Sequence, residues 1–447
     1  MKILFVIHGF PPHSSYGAEN YAYGIARHMS AEHDVFVFHR VGDASRDEYA
    51  TDEYDYEGLH VFTINNTFKD VKGFADTYRN DAVARTFGEY LDRVRPDVVH
   101  FHHVTCLSTT CIEEAHRRGI PVFYTLHDFW LFCPRGQFLT RDLAVCDAPK
   151  SHRCVFCNAY QLGLPSERVQ RIYGGLPDAI EPCGGILRRM AACIRRARAH
   201  RAFAHDKNET RLVEERAGHI AEMCGYVRAF IAPSRFMREK AIESGLPEDR
   251  VIFSRYGYNR GQFAGFKREK AEGVRFGFVG SLIPSKGAHI LIRAFRRVRR
   301  VDAQLRVFGA SYDFEGYPGY DERLRKIAAG DKRIDFAGRF DNTKIAGVLA
   351  QIDVLVVPSI WYENSPLTIE EAILTRTPLI VSGIGGMKER IDEVGGLTFR
   401  AGSEKALAKK LSLLAADPDI LEHLRPEPSC VKTVAVEAEE ILRIYTA

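Results

Sequence analysis

Short apolar runs, each followed by a segment of helical periodicity, recur along the chain and then begin again past its middle. This strand–helix grammar constrains the fold more than any other feature, because it implies repeated βα units built on parallel sheets. In the first half the runs are Ile3–Ile7, Val35–Phe38, Val98–Phe101 and Val122–Leu126, with a further one at Phe230–Ala232 leading into Pro233-Ser234. After Gly17 the apolar positions Ala22, Ile25, Ala26 and Met29 fall at helical spacing, which places Gly17 at a strand-to-helix turn. The second half repeats the pattern with Arg275–Val279, Leu305–Phe308, Val354–Val357 and Leu379–Val381.

A chain of 447 residues is too long for one core, so two domains follow. The aperiodic stretch Tyr256-Gly257-Tyr258-Asn259-Arg260-Gly261 reads as the linker between them. The expected division is 1–257, 258–425, and a final helix over 426–447 crossing back to the first domain. The expected fold class is α/β: two doubly wound, Rossmann-like domains whose parallel sheets face a central cleft, with ligands at the carboxyl ends of the strands. With 62 basic against 58 acidic residues, charge alone does not imply nucleic acid. The opening apolar run stops at His8-Gly9-Phe10-Pro11-Pro12, too early for a signal-peptide core. No window approaches the ~20 apolar residues that span a bilayer. A cytoplasmic protein is expected, at most resting on the inner face of a membrane.

The richest stretch runs from Val354 to Ala372. A buried strand ends at Pro358, a loop follows, and a helix is expected to start with Ser365 as its cap and Pro366 as its first residue. The unpaired first-turn N–H groups, including those of Leu367 and Thr368, would attract phosphate. Glu363 lies in the loop before the helix and Glu371 lies within it. Of the adjacent pair Glu370 and Glu371, only one can point at a ligand. Two carboxylates flanking a phosphate-binding helix end suit hydroxyl recognition, since each can accept hydrogen bonds from a diol.

A glutamate, seven residues and a second glutamate after a strand and a Pro-Ser turn resemble the signature of glycosyltransferase family 4. The resemblance extends to Tyr16-Gly17-Ala18-Glu19, Asp97–His102, Thr125-Leu126-His127, Ala232–Phe236, Val279–Gly287, Phe336–Gly338 and Pro378–Ser382 with Gly385-Gly386. It implies the two-domain GT-B fold and a retaining enzyme that takes a nucleoside diphosphate sugar as donor. Glu371 then holds the ribose hydroxyls and Glu363 the sugar hydroxyls. Asn364, Ser365, Pro366 and Leu367 lie against the diphosphate or sugar. Lys286 pairs with the diphosphate as a point charge. Ser281 stands where the family often carries arginine, so one cation is lost from the leaving-group site. Gly17 lets the first-domain loop approach the diphosphate. His127 falls beside the donor sugar and its β-phosphate, while His102 and His103 read as cleft wall.

No carboxylate maps to a nucleophile, so the implied route is same-face attack on the sugar. The departing phosphate accepts the acceptor's proton, and Lys286 and helix dipoles stabilise its charge. Catalytic roles thus fall to His127, Lys286 and Glu363, and no catalytic metal is expected. The acceptor would be a glycan or lipid-linked hydroxyl in the building of a surface polysaccharide or glycolipid. An epimerase on the same architecture would need a catalytic acid pair, and a phosphorylase a lysine carrying pyridoxal phosphate. A catalytically silent sugar-nucleotide-binding protein is the rival of a different class.

Two segments break the grammar. Within about 128–160, Cys133, Cys146, Cys154 and Cys157 follow C-x12-C-x7-C-x2-C, spacing compatible with a structural tetrahedral zinc. A segment with few apolar residues has a physical reason to need such a staple. A redox dithiol at Cys154 and Cys157 is the competing reading, and a subset of family 4 carries a similar cysteine insert. Within about 185–228, Arg188, Arg189, Arg195, Arg196, Arg198 and Arg201 accompany Ile186, Leu187, Met190 and Ile194 on one face. That pattern suits either a core-packed helix or contact with an anionic membrane surface.

Overall fold

The computed structural model describes residues 1–147, 154, 155, 157, 158, 207–312, 314 and 317–447. The arginine-rich first half of the basic 185–228 segment, residues 185–206, lies outside the described residues; its second half includes the helix Lys207–Gly225.

The chain forms two compact units. The first comprises residues 1–138, 147–257 and 434–447, and the second residues 139–146 and 258–433. In the first unit eight strands lie in the order β3-β4-β2-β1-β5-β6-β7-β8. These are β1 (Lys2–Ile7), β2 (Asp34–Val41), β3 (Thr51–Tyr56), β4 (Leu59–Asn65), β5 (Val98–Phe101), β6 (Val122–Thr125), β7 (Ala229–Ala232) and β8 (Val251–Phe253). All neighbours pair in parallel except the hairpin of β3 with β4. A parallel sheet covered on both faces demands unbroken apolar strands, and Ile3–Ile7 is fully buried. Its helices are α1 (Gly17–Met29), α2 (Asp81–Val94), α3 (Thr110–Arg117), α4 (Lys207–Gly225) and α5 (Arg235–Glu243). The cap of α5 is Ser234, whose hydroxyl accepts the Met237 N–H at 3.0 Å.

The second unit holds six parallel strands in the order β11-β10-β9-β12-β13-β14. They are β9 (Arg275–Val279), β10 (Gln304–Phe308), β11 (Ile334–Gly338), β12 (Val354–Val357), β13 (Leu379–Ser382) and β14 (Leu397–Phe399). Around them lie α6 (Ala288–Phe295), α7 (Tyr320–Ala328), α8 (Ile345–Leu349), α9 (Leu367–Leu374), α10 (Gly385–Val394), α11 (Glu404–Ala416) and α12 (Ile420–His423). The last helix, α13 (Val434–Thr446), belongs to the first unit.

The chain changes units between Gly257 and Tyr258 and returns between Thr433 and Val434. The stretch around the first crossing differs from a bare linker. Tyr256 and Tyr258 are buried, and the Tyr258 N–H donates to the Lys432 carbonyl at 2.8 Å. Residues 426–433 stay with the second unit: Val431 is buried in its core and Arg390 donates to the Cys430 carbonyl. Residues 139–146 also join that unit, where the Tyr317 hydroxyl donates to the Arg141 carbonyl.

Return of α13 to the first unit rests on Glu437, which is fully buried. Its carboxylate accepts the Tyr21 hydroxyl at 2.6 Å and the Gly257 N–H at 2.5 Å. Glu437→Ala leaves the buried Tyr21 hydroxyl and the half-buried Gly257 N–H without this acceptor, and should lower stability by about 2–4 kcal/mol. Urea unfolding measures this; a loss below about 0.5 kcal/mol would contradict the anchoring role.

Candidate functional site

Each sheet has one place where successive connections leave in opposite directions, and ligands of doubly wound folds bind beside it, at the carboxyl ends of the strands. In the second unit that place lies between β9 and β12. The loop after β9 carries Ser281 and Lys286, and the loop after β12 carries Glu363.

Close backbone packing brings these loops together. Gly287 has φ +74, and a Cβ there would stand 2.0 Å from the Pro358 carbonyl oxygen. The Ile360 N–H donates to the Ser285 carbonyl at 2.9 Å, tying one loop to the other. From the far side, the Gly386 N–H donates to the Glu363 carbonyl at 2.9 Å. A Cβ on Gly386 would meet the Asn364 carbonyl oxygen at 1.7 Å, so only glycine allows α10 to start there.

Within this frame Glu363 is buried, and its Oε1 accepts three hydrogen bonds. They come from Lys286 Nζ at 2.6 Å, Ser359 Oγ at 2.7 Å and Trp361 Nε1 at 2.9 Å. Lys286 also lies 5.4 Å from the centre of the Trp361 ring. The structure therefore pairs Lys286 with Glu363, where the sequence assigned each to a different part of a ligand. Ser359 and Trp361 had been given no role. The signal was there in one of the chain's two tryptophans, two residues before a glutamate.

Helix α9 starts at Leu367, and its cap is Pro366 rather than Ser365. With ψ 122 the proline stays extended, outside the helix, and it has no side chain to cap the first turn. The first-turn N–H groups therefore lack a side-chain cap. Asn364 is buried, and Ser365, Pro366 and Leu367 are half-buried.

The two adjacent glutamates in α9 have separate fates. Glu370 is buried and makes a two-pronged ion pair with Arg390, Nε to Oε1 and Nη2 to Oε2, both at 2.7 Å. It is structural. Glu371 is half-buried, and its carboxylate has no hydrogen-bond partner among the described residues. Burial pushes its pKa up to about 7. An unmatched, desolvated carboxylate is costly to hold ionised, and a hydrogen-bond donor would lower that cost. Ser281 is half-buried, and its hydroxyl has no partner among the described residues.

In the first unit the equivalent switch lies between β1 and β5, and histidines follow both strands. His127, after β6, has both ring nitrogens engaged: Nδ1 with the Tyr256 hydroxyl at 2.5 Å and Nε2 with His102 Nδ1 at 3.1 Å. Burial and the neighbouring imidazoles hold His127 well below the ordinary histidine pKa, and burial does the same to His102. His127 is therefore neutral near pH 7, suited to hydrogen bonding rather than to carrying a proton. His103 accepts the Thr105 N–H on Nδ1 at 3.0 Å and meets Asp128 Oδ2 with Nε2 at 3.1 Å. His8 meets the buried Glu19 at 3.2 Å. Gly17 is the exposed first residue of α1.

The described residues do not confirm the zinc expectation. Among the described residues no group of three or more His, Cys, Asp or Glu side chains is placed to hold a metal ion. Cys146 belongs to the second unit and Cys133, Cys154 and Cys157 to the first.

Residues 16–179 match the family model "Glycosyltransferase Family 4", and residues 273–417 match "Glycosyl transferases group 1". The chain carries two glycosyltransferase domains. Among curated proteins, glycogen synthase of Mycobacterium tuberculosis is 31% identical over 149 residues, 33% of this chain and 34% of that one. Phosphatidyl-myo-inositol mannosyltransferase of Mycobacterium leprae is 29% identical over 170 residues, 36% and 43% of the two chains. Each match thus spans less than half of the relative. Among solved structures, Alr3699/HepE from Anabaena, in complex with UDP and glucose, has a TM-score of 0.64 at 16% identity. That match covers 100% of this chain and 99% of the other. Sucrose-phosphate synthase of Thermosynechococcus elongatus gives 0.64 at 17% identity, covering 100% and 98%. The glycosyltransferase domains thus sit on a GT-B fold of two parallel-sheet α/β units.

Glu371 gives a test that needs no substrate. Its folded pKa of about 7 lies above the ordinary 4.5, so the folded state holds the proton more tightly. Its ionisation therefore costs stability as pH rises from about 4.5 to 7, and the cost is complete above that window. Glu371→Gln should stabilise the protein at pH 8 by up to about 3 kcal/mol and leave it unchanged at pH 4. Equal effects at the two pH values, by chemical denaturation, would contradict the unmatched carboxylate.

Proposed function

We propose that the protein is a retaining glycosyltransferase that moves a sugar from a nucleoside diphosphate sugar to a hydroxyl. The observation that carries this reading is that the loop after β9 and the segment after β12, at the switch point of the second sheet, hold a cation, Lys286, paired with Glu363, and a second carboxylate, Glu371, without a hydrogen-bond donor among the described residues. Lys286 and the uncapped first turn of α9 supply positive potential for a diphosphate. Glu371 supplies a carboxylate for ribose hydroxyls, and Glu363 one for sugar hydroxyls. Ser281 donates one neutral hydrogen bond near the leaving group, and Asn364 to Leu367 lie against the diphosphate or sugar. Support for UDP comes from Alr3699/HepE, whose crystal structures hold UDP, UDP-glucose, and UDP with glucose.

The reaction is same-face attack. As the sugar–phosphate bond breaks, charge grows on the departing phosphate, where Lys286 and the α9 N-terminus stabilise it. The phosphate takes the proton of the attacking hydroxyl. Neutral His127 acts as a hydrogen-bonding group beside the sugar, and Gly17 lets the α1 loop approach the diphosphate. A glycan or lipid-linked acceptor is proposed, within surface polysaccharide or glycolipid synthesis; the printed name of the Mycobacterium leprae relative supports the lipid-linked form. No described helix is long and apolar enough to cross a membrane. A cytoplasmic enzyme that works peripherally at the membrane's inner face fits this proposal.

A thermal-shift screen of UDP-, GDP- and ADP-sugars identifies the donor, and product analysis by NMR reports the anomer. Lys286→Ala should lower turnover about 10²–10³-fold while the protein stays folded. Turnover within about threefold of wild type would contradict the charge role.

A further inference from the structure

One carboxylate oxygen has two lone pairs, and Glu363 Oε1 is approached by three donors. The three are unequal. Ser359 and Trp361 are buried and on the same loop as the glutamate. Lys286 reaches over from the loop after β9 on a flexible stem, with 29% of its side chain exposed against 6% for Glu363. Lysine is the donor that can leave; the other two keep the carboxylate in place when it does. Glu363 Oε2 has no partner among the described residues.

We infer that Lys286 and Glu363 form an exchange pair through which the site favours a sugar-bearing nucleoside diphosphate over the same nucleotide without its sugar. The inference rests on the donor reading above. A diphosphate that draws Lys286 away leaves a buried carboxylate matched only by two neutral donors, which is unfavourable. When the nucleotide carries a sugar, its hydroxyls donate to the released carboxylate and offset that cost. When it does not, the cost stands, and the spent nucleotide binds weakly. Ser359 and Trp361 are positioning residues in this scheme, because they hold Glu363 where the sugar needs it. The consequence is faster product release from a site whose cation would otherwise retain the diphosphate.

Titration calorimetry with UDP, GDP and ADP, and with the matching glucose-bearing nucleotides, tests the pair. Glu363→Gln keeps the shape and removes the charge. It should bind the sugar-free nucleotide at least about tenfold more tightly than wild type, because Lys286 no longer has to be released. The sugar nucleotide should gain less, so the preference for it shrinks. Adding Lys286→Met should abolish the gain. Unchanged or weaker nucleotide binding by folded Glu363→Gln overturns the inference, as does a gain that survives Lys286→Met. Ser359→Ala is the second probe. With one neutral donor gone, the carboxylate leans harder on Lys286, and nucleotide binding should weaken about threefold; no change there also overturns it. If the wild type binds no nucleotide of either kind, the donor reading fails and the exchange pair fails with it.

Discussion

A carboxylate taken out of water must be matched, and the second unit is arranged around matching Glu363. Its oxygen is reached from two loops at once, by Lys286 from one side and by Ser359 and Trp361 from its own. That arrangement needs backbones in contact, which explains glycine at positions 287 and 386, where any Cβ would overlap a carbonyl oxygen. The switch in strand order between β9 and β12 opens the space that the two loops share. Fold, glycines and charge pair are therefore one construction. Disturbing any of them moves the same carboxylate.

Against this matched carboxylate stands an unmatched one. Glu370 spends its charge on Arg390, which fixes α9 against α10 and leaves the neighbouring Glu371 turned to a different side. Because Glu371 gains no donor among the described residues, burial acts on it alone and raises its pKa. The contrast with the first unit is physical. There, burial acts on His127 and His102 in the opposite direction and keeps both rings neutral. Desolvation thus prepares one unit with a carboxylate seeking donors and the other with uncharged hydrogen-bonding rings.

Much of this was legible in the sequence, because parallel strands buried on both faces advertise themselves as unbroken apolar runs. Ile3–Ile7, Val98–Phe101 and Val354–Val357 are such runs, and they locate the switch points. The edge strand β3 is Thr-Asp-Glu-Tyr-Asp-Tyr, largely exposed, and carries no such signal. The short strands β8 and β14 are equally faint. Glu363, Glu371 and Lys286 could be selected from spacing and resemblance, but their hydrogen bonds could not. Nothing in spacing says that Lys286 meets Glu363, or that Tyr256, in a stretch without periodicity, meets His127. Those contacts depend on side-chain reach between segments far apart in sequence. The start of α9 shows the limit of local rules: Ser365-Pro366 looks like a cap and first residue, yet the proline's own extended ψ makes it the cap.

We propose that Glu371 reads the ribose of a nucleotide. The direct measurement is the affinity of the sugar nucleotide that the protein binds, and of its 2′,3′-dideoxy counterpart, for the wild type and for Glu371→Ala. Losing the ribose hydroxyls should weaken wild-type binding about tenfold or more and leave Glu371→Ala nearly unaffected. Equal losses in the two proteins would show that the hydroxyls are held elsewhere.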